Sequence, residues 1–214
     1  MRSVLELAER YHYDAGHAAQ VARFGLQLFD RTRALHGLGS EHRPHLEYAA
    51  LLHDIGSHIA FSGHHRHGYY LVKNGGLRGF RPDEVELIAG IVLYHRKGMP
   101  RRSDACMRAL GKDARRVLRR LAGILRVADG LDRTHFQVVK ELGVRVAADV
   151  VSIHVDARED PELEVWAASR KARLFERATG ARLRFVLKGT GETGELKPAP
   201  QAPPASREAS VVRT

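Results

Sequence analysis

A change of period constrains this chain more than any other feature. Up to about residue 132 its apolar residues recur every three or four positions, and after about residue 142 they alternate. The first spacing lines one face of an α-helix, and the second lines one face of a β-strand. The chain is therefore expected to be mainly α over residues 1–140, with a small α+β appendage over residues 141–189. Beyond that the periodicity stops. Half of the eight prolines fall between Pro198 and Pro204, so residues 190–214 are expected to form a disordered, Pro-rich tail.

Helical stripes can be followed in order. Residues 3–13 carry Val4, Leu5, Leu7 and Ala8, and residues 14–35 carry Val21, Ala22, Gly25, Leu26, Leu28 and Phe29. Four residues before Val21 the second stripe reaches His17. A helix over residues 45–56 ends in Leu51-Leu52-His53-Asp54-Ile55-Gly56, with Gly56 as its stop. After a loop through His64-His65-Arg66-His67, a short helix is expected with His67 near its start. Pro82-Asp83-Glu84 opens another helix, with proline early and acids at the positive dipole end. Its stripe Val85, Ile88, Val92 continues to His95. Residues 113–132 place Leu118, Leu121, Leu125 and Ala128 inward, with Asp129 on the same side and Arg115, Arg116, Arg119 and Arg120 on a solvated face. The appendage reads as ββαβ: strands either side of Ala147-Ala148-Asp149, a helix from Asp160-Pro161 burying Leu163, Trp166, Ala167, Leu174 and Ala178, and a strand through Leu183, Phe185 and Leu187.

Composition limits the function classes. A single cysteine, Cys106, rules out an intramolecular disulfide and favours the cytoplasm. Residues 1–13 lack the apolar centre of a secretory signal, and no apolar run is long enough to cross a bilayer. The formal charge of +10 favours anionic partners. Thirteen histidines are more pointed, because imidazole is the commonest metal ligand. His12, His36, His42 and His45 read as surface residues.

His17, His53 with Asp54, and Asp129 lie on core faces or ends of separate helices, and His67 and His95 occupy similar places. One inward histidine is ordinarily a satisfied structural residue. Several, together with two aspartates, carry a desolvation cost that a shared divalent cation relieves. Imidazole and carboxylate together suit Mn, Fe, Co, Ni or Zn, with Mg a further candidate.

The order His17, His53-Asp54, Asp129 resembles the HD superfamily of metal-dependent phosphohydrolases, which have a helical-bundle fold. Other stretches resemble the carboxy-terminal region of the exopolyphosphatase and guanosine pentaphosphate phosphohydrolase (Ppx/GppA) family. These are Leu51–Gly56, Ser62–His67 with Tyr69-Tyr70, Tyr94–Pro100, Ala128–Arg133 and Leu163–Phe175. The resemblance implies that His17, His53, Asp54 and Asp129 hold one metal ion. His67 and His95 would serve a second ion bridged by Asp54, with His64 competing for the place of His67. That family's actin-like domains, with their glycine-rich phosphate loops, have no counterpart in residues 1–214, so only the HD site carries over.

Such a site implies hydrolysis of a phosphate ester or anhydride, with a phosphorylated small molecule, nucleotide or polyphosphate as substrate. Asp54 or Asp132 would take a proton from water. Arg66, Arg96, Lys97 and Arg133, adjacent in sequence to the ligands, would bind the substrate's charge. A competing expectation is a non-catalytic module that binds polyphosphate, nucleic acid or a phosphatase partner through its basic surface. Nucleic acid ranks last, since aromatic residues are not interleaved with the basic cluster. A homodimer is compatible with either reading.

Overall fold

The computed structural model describes residues 1–187, so the expected tail lies outside the described residues. Its helices are α1 (Arg2–Arg10), α2 (Ala15–Arg31), α3 (Arg33–His36), α4 (Arg43–Leu52), α5 (His64–Asn74), α6 (Pro82–Tyr94), α7 (Ala105–Ala109) and α8 (Lys112–Gly130). Then come strands β1 (Val139–Ala147) and β2 (Val150–Ala157), helices α9 (Glu162–Lys171) and α10 (Arg173–Thr179), and strand β3 (Arg182–Leu187). The mainly helical fold with a small ββαβ appendage is as the change of period predicts.

The centre of the bundle is α8. Every residue from Leu121 to Asp132 is buried, because α2, α4, α6, α9 and α10 all pack against this helix. Burial of those apolar side chains, at ~25 cal/mol per Å2, is the main force assembling the bundle. The sheet has the order β1-β2-β3. A two-residue turn at Ala148-Asp149 joins β1 antiparallel to β2, and α9 and α10 form the crossover that lets β3 run parallel to β2. Val151, Ile153 and Val155 bury the inner face, continuous with the bundle's own core.

Close backbone approach sets how the crossover sits. A Cβ at Gly130 would lie 2.5 Å from Ala168 Cα, and one at Gly123 would lie 2.8 Å from Phe175 Cα. Two glycines seven residues apart on one face of α8 thus let α9 and α10 lie against its backbone.

Several local expectations are corrected. The second helix does not run to residue 35. It breaks at Thr32, whose hydroxyl donates to the Leu28 carbonyl at 2.7 Å. His36 is not a surface residue but fully buried. Its Nε2 donates to the Phe29 carbonyl at 2.8 Å, and its Nδ1 accepts from the Leu38 amide at 3.0 Å. Gly56 does not stop α4, which ends at Leu52, but sits in a 3-10 turn over Ile55–His58. Of the four arginines placed on a solvated face, only Arg116 is exposed. Arg115 donates to the Met107 carbonyl, Arg119 to Arg115, and Arg120 to Ala178. The phase of α9 is also turned. Leu163 and Trp166 are 49% and 41% exposed, while Ala167 and Leu174 are buried as expected and are joined by Glu164, Val165 and Ala168. The buried Glu164 carboxylate accepts from the Thr134 hydroxyl at 2.7 Å, which gives a charged residue an inward place.

Candidate metal centre

Each donor is placed by its local backbone. Asp14 caps α2, its Oδ1 accepting from the His17 amide at 3.0 Å, so His17 projects inward from the first turn. His53 closes α4, and Asp54 leads into the 3-10 turn. A Cβ on Gly56 would lie 2.0 Å from the His64 carbonyl oxygen and 2.4 Å from the Gly68 amide nitrogen. Glycine there lets the turn touch α5 and brings His64, the first residue of α5, beside Asp54. His95 follows α6 directly, and Asp129 lies in the last turn of α8.

Four imidazoles are oriented in the same sense. Nδ1 of His53 donates to the Ala50 carbonyl at 2.7 Å, that of His64 to Phe61 at 3.0 Å, and that of His95 to Val92 at 2.7 Å. Nδ1 of His17 donates to the Asp132 carboxylate at 2.8 Å. With each Nδ1 used as a donor, the neutral ring presents a lone pair on Nε2. Those lone pairs meet: Nε2 of His17 and His53 are 3.1 Å apart, and Nε2 of His64 and His95 are 3.0 Å apart. Lone pairs at that distance repel unless a proton or a cation lies between them.

Asp54 stands between the two pairs. Its Oδ2 is 3.7 Å from His53 Nε2 and 4.0 Å from His17 Nε2, and its Oδ1 is 3.2 Å from His64 Nε2 and 3.4 Å from His95 Nε2. Asp129 Oδ1 lies 3.9 Å from His17 Nε2. Burial pushes the Asp54 carboxyl up, but when the rings are protonated, charge on His53 and hydrogen bonds from His64 and His95 outweigh it and hold the group well below the usual carboxylate range, a role that a cation would take over where each Nε2 is bare. Burial likewise opposes ionisation of Asp129, and the Lys171 ammonium, together with His53 and His95 when these are protonated, holds it at about 2. Two ionised carboxylates and four imidazole lone pairs fit a divalent cation better than they fit one another. Ligand atoms of His17, His53 and Asp129 group within 4.8 Å of one another, and so do those of Asp54, His64 and His95.

The other candidates divide. His67, one turn further along α5, belongs to none of these groups, and His64 stands at the cluster in its place. Asp132 is fully buried behind His17 and also accepts from the Gln137 amide at 2.9 Å, so it faces away from the cleft. Arg96 and Arg133 line a cleft of about 470 Å3 that opens over the donors, whereas Arg66 and Lys97 are exposed elsewhere. Three cleft residues carried no sequence signal for this site. His135 stacks on His17 with ring centroids 3.6 Å apart, and its Nδ1 lies 3.0 Å from Asp14 Oδ2. It sits in a loop, at φ 62°, where no periodicity could point inward. Lys171 ends α9, where a cation is ordinary. Asp14 reads only as the start of a helix.

Residues 1–174 match the family model described as Ppx/GppA phosphatase, domain III. Among curated proteins, the chain is 30% identical over 128 residues to a guanosine-5'-triphosphate,3'-diphosphate pyrophosphatase of Aeromonas hydrophila, covering 59% of this chain and 25% of that protein. It is 28% identical over 163 residues to the protein of the same name from Pseudoalteromonas translucida, covering 72% of this chain and 31% of that one. A third, from Pseudoalteromonas atlantica, is 27% identical over 129 residues, covering 60% and 25%. The chain thus spans a quarter to a third of the length of these relatives.

Proposed function

Since the chain belongs to the Ppx/GppA phosphatase domain III family, we propose that it is a metal-dependent phosphohydrolase of the HD type. Its substrate is a phosphate ester or anhydride, nucleotide or polyphosphate-related. The observation that carries the reading is the convergence of four Nε2 lone pairs on Asp54, each ring locked by its own Nδ1 hydrogen bond. His17, His53, Asp54 and Asp129 would hold one divalent ion, and His64 and His95 with Asp54 a second. A divalent ion bound there supplies a Lewis acid for a phosphoryl oxygen and lowers the pKa of water.

The chain's own residues do the rest. Asp132 keeps the His17 ring turned so that Nε2 faces the site. Asp54 lines the cleft, where its carboxylate would take the proton from water. Arg96 and Arg133 oppose the negative charge that grows on the phosphoryl oxygens. The lone, buried Cys106 suits a reducing compartment such as the cytoplasm, and no helix among the described residues is long and apolar enough to cross a membrane. The competing reading, an anion-binding module acting through a basic helix face, finds less support, because Arg115, Arg119 and Arg120 are tied to backbone carbonyls.

The test is metal content followed by phosphate release from nucleotides and polyphosphate with Mn, Mg, Ni and Co. Wild type should take up metal and turn over at least one substrate. Asp54→Ala should lose metal and slow release by at least about a hundredfold. A wild-type chain that stays metal-free after loading refutes the proposal.

A further inference from the structure

Two features of the cleft are not used by the ligand set. Neither Arg96 nor Arg133 has an acidic partner within salt-bridge distance among the described residues, although both line the cleft. The third cation there, Lys171, comes from the small α+β region. Its Nζ donates to Asp129 Oδ2 at 2.5 Å, and its side chain remains 20% exposed, on the cleft wall. An ammonium has three protons to donate, so one is spent on Asp129 and two remain for a ligand.

The bland account of Lys171 is charge neutralisation of a buried carboxylate. It leaves the cleft with excess positive charge if a cation is held there, because Arg96 and Arg133 face the same space while Asp129 would be shared between that cation and the Lys171 ammonium. An anion reaching both restores the balance. A phosphoryl group has that charge and spare oxygens for both, with Arg96 and Arg133 placed to meet the others. The position of Lys171 is built rather than incidental: Gly130 follows Asp129 directly, and its contact with Ala168 docks α9 so that Lys171, three residues on, overlies Asp129.

We infer that Lys171 is a phosphate-binding residue of the site, so that the α+β appendage supplies one wall of it. This rests on the metal reading above. The substrate being unidentified, the probe is inorganic phosphate, titrated calorimetrically into the Mn-loaded full chain, with Mn affinity measured separately. Lys171→Gln should weaken phosphate binding about tenfold or more, the loss expected for a charge-assisted hydrogen bond, while Mn affinity falls by no more than about threefold. Lys171→Arg should retain phosphate affinity to within about threefold. Lys171→Met, which keeps the stem without the charge, should behave as Lys171→Gln and serves in its place if the amide disturbs the helix end. Unchanged phosphate affinity in both neutral variants, with weaker Mn binding, would mean that Lys171 only steadies Asp129, and the inference falls. Wild type that loads Mn yet binds no phosphate overturns this inference alone, whereas wild type that takes up no Mn overturns the metal reading as well.

Discussion

Protonating His36 would end the bond that Leu38 makes to it. The Leu38 amide donates to Nδ1 while Nε2 serves the Phe29 carbonyl, so the buried ring is held neutral, and burial pushes its pKa below the usual histidine value. The sign of the pH effect follows. In the unfolded chain His36 titrates near ~6.5, so its contribution is complete above that pH and is lost as pH falls towards the lower folded value. His36→Gln should cost about 1–3 kcal/mol at pH 8 in urea unfolding, with the gap to wild type narrowing below about pH 6. A gap that widens on acidification would contradict this. Histidines also show how far single residues could be read from the sequence. His17 and His95 continue apolar stripes, so their inward direction was legible. His36 ends a helix, where a stripe gives no direction. His64 and His67 were indistinguishable, because the Gly56 contact that fixes the placement of α5 is a tertiary event. His135 and Lys171 reach the cleft from a loop and from a helix whose phase the sequence misjudged.

The elements carry a second lesson. The apolar letters Leu163 and Trp166 predict a buried face for α9, yet the helix buries Glu164, Val165 and Ala168. What decides is proximity to α8: at Gly130 the backbones approach so closely that only a small residue, Ala168, fits between them. A tryptophan at that contact would have no room. Gly130→Ala should therefore destabilise by about 1–3 kcal/mol, as overpacking does, although alanine is the better helix former. A lowered urea midpoint would show it, and a raised one would place the contact elsewhere. The same variant moves Lys171 relative to Asp129, so phosphate binding by the Mn-loaded chain should weaken with it.

Across the whole molecule, the change of period was sufficient to separate bundle from sheet, and strand alternation was sufficient to find three strands, though not their order in the sheet. It could not reveal that the two regions share a core. Leu174, Phe175, Val151 and Ile153 join one apolar cluster with Leu118, Leu121 and Leu125. Ligand binding at the bundle's centre should accordingly be felt by the entire described chain. Mn at about a hundred times its Kd should add about 2.7 kcal/mol and raise Tm by roughly 5–10 °C in one transition. Asp54→Ala should show no such rise, and a metal-insensitive wild type would contradict the proposed site. The two oxygens of Asp54 sit on one carbon and face opposite imidazole pairs, so tension at either pair is transmitted to the other through that rigid yoke. Neither half of the centre can be retuned in isolation, and a change to one ring should leave its signature on both.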